Sequence, residues 1–430
     1  MQTSKPLTLK RNFSWTFIGN AVYAACQWGM LVVLAKFGTP EMVGTFTLGL
    51  AITAPIFMFS NLQLRHIQAT DAKQQYVFGD YFGLRLISTV LALGVVVAVT
   101  LVAGYRWQVS LTILLVGLAK AFESISDVFY GLIQQHERMD RIAISLMIKG
   151  PLSLVVMGLG IYITGNVIWG VVGLALSWGI VALGYDLRSG KSILNSITRS
   201  EVAENSLSKI RDRSIVPRWE VKTLQEIAWL ALPLGLVMLL ISLNTNVPRY
   251  FIERYLGERE LGFFAALAYL MVSGSMVVHA LGQSATPRLA KYYAAGRGTA
   301  FRQLMLKLVG IGAGLGGLAV LVAAIAGKQV LTIFYQPEYA QYSDLFVWLM
   351  IAAGFSYVSY FLGYGMTAAR YFRIQMPLFT FATAASALTS FWLIPSLGLK
   401  GAAIALIAGA VVEAVFSLGV ILHAIHRIEQ

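Results

Sequence analysis

Lys36-Phe37 followed by Val43-Gly44-Thr45-Phe46 has a second copy 218 positions on, in Arg254-Tyr255 followed by Leu261-Gly262-Phe263-Phe264. Each copy lies between two long apolar runs. In each, a cation and an aromatic residue end one hydrophobic segment, and a glycine with a phenylalanine two positions on opens the next. A unit repeated at equivalent places between apolar segments is the pattern of a membrane transporter assembled from two halves.

Composition supports this. Of 430 residues, 57% are hydrophobic and only 12% charged, about half the charged share of soluble domains. Such a chain is solvated by lipid. A helix needs about 20 apolar residues to cross the hydrocarbon core, so 430 residues hold about a dozen spans and leave no room for a soluble catalytic domain. Twelve spans are predicted, at about 12–36, 41–64, 80–104, 107–133, 141–164, 166–187, 227–252, 260–285, 302–327, 341–368, 373–394 and 400–426. The runs are long and continuous rather than alternating, which favours helices over barrel strands. The expected fold is an all-α polytopic membrane protein of two pseudo-symmetric six-helix bundles, residues 1–187 and 227–430, joined by a cytoplasmic linker at 188–226. The linker carries mixed charge, and its apolar residues are too sparse for a core of its own. One helix of it could lie on the membrane surface, its basic residues drawn to anionic headgroups.

The net charge of +13 would suggest nucleic acid in a soluble protein. Here its distribution is topological. With the N-terminus inside, 25 Lys and Arg fall on the cytoplasmic side, seven fall outside, and Lys120 remains in mid-span. The positive-inside rule then puts both termini in the cytoplasm. No cleavage site follows the first apolar run, so no removed signal peptide is expected. Cys26 is the single cysteine and can form no intrachain disulfide.

Several short motifs, in order, resemble the multidrug/oligosaccharidyl-lipid/polysaccharide exporter superfamily, and within it the polysaccharide transporter, or O-antigen flippase, family. They are Arg11-Asn12-Phe13-Ser14-Trp15 running into Gly19-Asn20, Phe37-Gly38-Thr39-Pro40-Glu41-Met42-Val43-Gly44-Thr45-Phe46, Thr286-Pro287-Arg288-Leu289-Ala290, Ile333-Phe334-Tyr335-Gln336-Pro337-Glu338-Tyr339 and Leu397-Gly398-Leu399-Lys400-Gly401-Ala402-Ala403. The resemblance implies two bundles around a central cavity that opens alternately inward and outward. It implies a cargo of undecaprenyl-diphosphate-linked oligosaccharide, moved to the outer leaflet of a bacterial plasma membrane, with polymerase and export proteins as partners. Twelve spans argue against the relatives that flip the peptidoglycan precursor, which carry two more.

Charges inside spans cost at least about 2.5–3.5 kcal/mol each, so those retained are functional candidates. Lys120, Glu123 and Asp127 share one face of span four with Tyr130. Two readings stand. Lys120 attracts the diphosphate while Glu123 or Asp127 responds to protons or sodium, or Lys120 and Glu123 neutralise each other and Asp127 is left over. Glu413, in span twelve, is a candidate coupling carboxylate or a hydrogen-bonded residue at a helix contact. Asn244-Thr245-Asn246-Val247-Pro248-Arg249 could break span seven and place Arg249 at sugar or phosphate, or Arg249 could be an interfacial anchor. Arg65, Arg85, Lys149 and Arg288 could draw in an anionic headgroup, although most such residues are ordinary positive-inside cations. His279 reads as a satisfied polar contact, and Trp28 and Tyr360 as rings able to stack on sugars.

Gly310-Ile311-Gly312-Ala313-Gly314-Leu315-Gly316-Gly317 contains GxGxxG, but inside a span it reads as close helix packing, not a dinucleotide site. With no Walker loop, no metal-ligand spacing and no catalytic serine motif, no cofactor, metal, nucleic acid or catalytic residue is expected, and any drive comes from an ion gradient or the membrane potential. The competing functions are a drug/cation antiporter of the same superfamily and, in another class, a polymerase or ligase acting on the same lipid carrier. The short outside loops count against the enzyme.

Overall fold

The computed structural model describes residues 8–71, 75–203 and 215–429. Lys5, Lys73 and the linker stretch carrying Lys209, Ile210, Arg211 and Arg213 lie outside them. The described residues contain twelve helices long and apolar enough to cross a membrane, one at each predicted span. In chain order the helices are α1 (Leu9–Phe37), α2 (Pro40–Ser60), α3 (Leu64–Thr70), α4 (Phe78–Ala103), α5 (Trp107–Gln135), α6 (Met139–Thr164), α7 (Val167–Val181) and α8 (Leu187–Ala203), then α9 (Val221–Leu256), α10 (Glu258–Ala294), α11 (Gly298–Phe334), α12 (Ser343–Ala368), α13 (Gln375–Leu397) and α14 (Leu399–Glu429). A π turn at Ala182–Asp186 joins α7 to α8, and a 3-10 turn at Pro337–Tyr342 leads into α12. Large apolar side chains such as Val90, Leu101, Val102, Ile163 and Ile325 are exposed, as expected where lipid is the solvent.

The chain forms two compact units, Met1–Gly38 with Ile52–Leu239, and Thr39–Ala51 with Leu240–Gln430. Chain order is therefore not strictly followed, since the first turns of α2 belong to the second unit and the first turns of α9 to the first. In the first unit, Phe78, Tyr81, Phe129, Tyr130 and Ile133 pack with Leu224, Ile227 and Ala231 of α9. The end of the linker is docked there too. The Arg218 N–H donates to the Gly79 carbonyl at 2.9 Å, and the Arg218 guanidinium lies 3.8 Å from Asp80. A Cβ on Gly83 would overlap the Arg218 carbonyl, so Gly79 and Gly83, one turn apart, form the seat. Gly83→Val should unseat this segment and speed tryptic cleavage after Arg218 in the solubilised protein. Unchanged cleavage would show that the seat does not hold the segment. Within the stretch expected as linker, α8 buries Ser189, Gly190, Ile193 and Leu194 while Arg188 and Lys191 stay exposed, a one-sided helical pattern.

In the second unit, Phe301, Met305, Leu308, Tyr357, Phe361, Met366 and Ile421 form the core. Of the glycine run in α11, Gly312 and Gly316 face α12, where added Cβ atoms would meet Phe361 and Gly354. Gly310, Gly314 and Gly317 have nothing within 4 Å, so only part of the run serves packing. The break expected at Pro248 does not occur, and α9 continues unbroken to Leu256. Nearby side chains bond back into the helix, Thr245 Oγ1 and Asn246 Nδ2 donating to the Ser242 carbonyl at 3.0 and 2.8 Å. The proline itself removes one hydrogen bond, to the Asn244 carbonyl, without interrupting the helix.

The repeated motif meets itself in this unit. Gly44 and Gly262 are the fifth residues of α2 and α10. A Cβ on Gly44 would overlap the Glu258 carbonyl and lie 3.1 Å from the Gly262 nitrogen, while one on Gly262 would overlap the Pro40 carbonyl and lie 3.0 Å from the Gly44 nitrogen. The helix starts thus cross backbone to backbone with two-fold reciprocity. Val43 and Leu261 are fully buried, and Phe46 and Phe264 nearly so. Thr45 Oγ1 donates to Glu258 Oε2 at 3.2 Å, and Arg259 pairs with Glu41 at 3.7 Å and Glu338 at 3.2 Å.

Candidate functional site

Within the first unit, the polar face of α5 borders a cavity of about 390 Å³. Glu123, Asp127 and Tyr130 line it from α5, Asn20 and Tyr23 from α1, and Arg65 and His66 from α3. The spacing of three and four residues along α5 explains why these side chains converge. Lys120 stands one turn away and does not line the cavity. Its Nζ is 2.7 Å from Glu123 Oε2 and 5.4 Å from the centre of the Trp178 ring, while the Tyr23 hydroxyl donates to Glu123 Oε1 at 3.3 Å. Lys120 and Glu123 are therefore an ion pair, with Glu123 the member facing the cavity.

Asp127 is not left over, which corrects the expectation from sequence. Arg85, fully buried, donates to its Oδ2 at 2.9 Å, and Arg65 lies 3.7 Å from Oδ1. Arg85 also donates to the Asn61 side-chain oxygen, which accepts from Ser124 Oγ at 2.7 Å. Arg65 is further held by Gln134 at 3.0 Å and over the Tyr130 ring at 5.4 Å. Asn61 and Arg65 reach this place because the chain turns sharply between α2 and α3. Leu62 and Gln63 adopt φ of 50° and 51°, a left-handed conformation that costs roughly 1–2 kcal/mol per non-glycine residue. The predicted second span, 41–64, passed over this turn.

The interior also holds a group that the sequence reading did not assemble. Lys149 of α6, 1% exposed, donates to Ser126 Oγ at 3.1 Å and to the Tyr130 hydroxyl at 3.3 Å, with Asp186 of the π turn 4.0 Å away. The Tyr130 hydroxyl shares a 2.7 Å hydrogen bond with Ser145. Trp178 donates to Ser153 at 2.9 Å and turns its ring toward both Lys120 and Lys149. Arg85 and Lys149 are thus not ordinary interfacial cations. The cluster holds four cations, Arg65, Arg85, Lys120 and Lys149, against three carboxylates, Glu123, Asp127 and Asp186, an excess of one positive charge with all ionised. Inside a low-dielectric bundle, an excess charge attracts a mobile counter-charge far more strongly than it would in water.

The remaining candidates lie in the second unit. Arg249 donates to Asn246 Oδ1 at 2.9 Å. Arg288 is exposed, with its Nε donating to the Tyr292 hydroxyl at 2.7 Å. Glu413 is buried at 8% exposure. His279 stacks on Tyr360 at 4.8 Å and lies 3.1 Å from the Tyr364 hydroxyl, so it is the satisfied contact expected. Cys26 is buried and free. Among the described residues no cluster of His, Cys, Asp or Glu is arranged to hold a metal.

A family model described as polysaccharide biosynthesis protein matches residues 9–293. The capsular polysaccharide biosynthesis protein CapF of Staphylococcus aureus is 29% identical over 402 residues, covering 92% of this chain and 94% of that protein. Among solved structures, an inward-facing multidrug resistance MATE family transporter of the MOP superfamily aligns with a TM-score of 0.67 at 14% identity, covering 96% of this chain and 99% of that one. A single-residue mutant of the Vibrio cholerae MATE transporter VcmN aligns at 0.63 with 15% identity over 97% of each chain. A MOP superfamily transporter from Pyrococcus furiosus gives 0.59 at 16% identity, covering 97% and 95%. These structural likenesses are of fold, and they fit an all-helical, multi-pass membrane protein of two bundles. With its matched residues taking in every member of the cavity cluster, the chain belongs to the polysaccharide biosynthesis protein family.

Proposed function

We propose that the protein is a flippase for a polyprenyl-diphosphate-linked oligosaccharide. It carries O-antigen, capsule or exopolysaccharide repeat units from the inner to the outer leaflet of a bacterial plasma membrane by alternating access, with both termini cytoplasmic. The observation that carries this reading is the excess positive charge gathered around a cavity inside the first unit. Arg65 is its most accessible member. Its side chain is 27% exposed on the cavity wall and only loosely paired with Asp127, so its terminal N–H groups can take a phosphate oxygen while Nε stays on Gln134. Arg85, Lys120 and Lys149 stand behind the wall, each on a carboxylate, and set the field. At about 390 Å³ the cavity lies at the small end of ligand sites and suits the diphosphate with its nearest sugar, the lipid tail remaining in the bilayer. Polymerase and export proteins would take the flipped product onward.

The test is flipping of a fluorescent polyprenyl-diphosphate oligosaccharide in vesicles containing only this protein, with and without a pH gradient. Flipping above protein-free vesicles is expected. Arg65→Gln should slow it about tenfold or more, the worth of one charged hydrogen bond, while exposed Arg288→Gln should change it little. Folded protein that flips none of several glycans would overturn the reading. Glu123 and Asp127 on the wall support a second reading, a drug/cation antiporter, and cation uptake into the same vesicles separates the two.

A further inference from the structure

Another pocket opens at one end of the second unit, where two chain turns meet the last turn of α14. It has a volume of about 610 Å³ and is lined by Tyr293, Ala294 and Gly296 at the end of α10 and just past it, by Ala369, Arg370 and Tyr371 after α12, and by Arg427 near the end of α14. Among the described residues it contains two arginines and no carboxylate. Among the described residues neither Arg370 nor Arg427 forms an ion pair, whereas every cation of the cavity cluster in the first unit has an acidic partner. The Tyr371 hydroxyl is shut off from solvent and makes no well-formed hydrogen bond. The Tyr293 phenol beside it adds a further hydroxyl and no negative charge.

The backbone gives an independent indication. Arg370 stands just past the end of α12 with φ of 63°, where its N–H donates to the Thr367 carbonyl at 3.1 Å and the Tyr371 N–H to the Met366 carbonyl at 3.0 Å. Helix ends of this kind ordinarily take glycine, which has no steric penalty there. The neighbouring turn does so, with Gly296 at φ of 67°. An arginine held in the strained conformation instead points to a use for its side chain. Among the described residues, two unpaired guanidiniums and an enclosed phenol hydroxyl form a donor set with no anionic acceptor, and planar guanidinium forks match phosphate oxygens in particular.

We propose that this pocket is a second anion site, which takes a phosphate group presented at the membrane surface, either the headgroup of an anionic phospholipid or the phosphate of a polyprenyl carrier. The site does not rest on the flippase reading, because it is separate from the cavity in the first unit and its test requires no transport.

The test is native mass spectrometry of the full chain in detergent, titrated separately with phosphatidylglycerol, polyprenyl phosphate and inorganic phosphate. Phosphatidylcholine serves as the neutral comparison. At least one phosphate probe should bind saturably, and Arg370→Gln with Arg427→Gln should weaken it about tenfold or more. Arg370→Gly removes the guanidinium while easing the backbone, so loss of binding in that variant cannot come from misfolding. Preference for phosphatidylglycerol would identify a lipid headgroup site, preference for polyprenyl phosphate a carrier site, and equal affinity for all three a site for the phosphate alone. No saturable binding by the folded protein, or equal binding by wild type and both variants, would overturn the proposal.

Discussion

Asp127→Asn should destabilise the protein by about 3–5 kcal/mol, the usual cost of stranding one member of a buried ion pair, and should do so more severely than Arg85→Met. The asymmetry follows from burial. The Asp127 side chain is 26% exposed on the cavity wall, whereas Arg85 is fully enclosed. Without Arg85, water in the cavity and Arg65 at 3.7 Å still serve the carboxylate. Without the Asp127 charge, the guanidinium keeps only neutral oxygens, those of Asn61 and of the new amide, in a place water does not reach. An uncompensated charge in the interior is among the few causes of losses this large. Arg85→Met combined with Asp127→Asn removes both charges and should be more stable than Asp127→Asn alone. Thermal or denaturant unfolding of the three variants in one detergent decides it. Asp127→Asn unfolding with wild type, or the double variant falling below it, would show that the pair does not hold these helices.

Much of this was legible in the sequence. All twelve spans were, because apolar length is a strong signal, and so was the α5 stripe, because spacings of three and four fix a helix face. Arg85 and Lys149 were harder to place. Each lies within the first turns of a helix whose start is uncertain by a few residues, and long basic side chains can reach an interface from several turns inside a span. Arg85 stands seven residues into α4 and Lys149 ten into α6, or about 10 and 15 Å along the axis. Only the fold shows that they turn inward. Asp186 reads as the next-to-last residue of an ordinary span until the π turn at Ala182–Asp186 aims it at Lys149. Such local underwinding often occurs at functional positions, but nothing in Ala182-Leu183-Gly184-Tyr185-Asp186 signals it. The expected break at Pro248 failed because the proline rule is local, and one missing hydrogen bond does not end a 36-residue helix.

The opening repeat yields the sharpest prediction, because the structure gives its glycines a reason. Gly44→Val and Gly262→Val should each cost about 3 kcal/mol, the upper part of the overpacking range. The obstructing atoms are the backbone carbonyls of Glu258 and Pro40, which no rotamer change can move aside. The same reciprocity predicts that the two costs will not add. Once a side chain at Gly44 has forced α2 and α10 apart, a side chain at Gly262 finds room already made. The double variant should therefore lose little more than either single one, a coupling of about 2–3 kcal/mol, near the top of the range for residues in contact. Gly310→Ala is the control, since nothing lies within 4 Å of that position and alanine favours a helix by about 1 kcal/mol over glycine. It should be neutral or stabilising, which separates close approach from glycine content. If the motif is only an inherited echo of one half in the other, the single variants will be mild and their costs will add. If it is the point at which the two copies grip each other, each single variant will be severe and the second substitution nearly free.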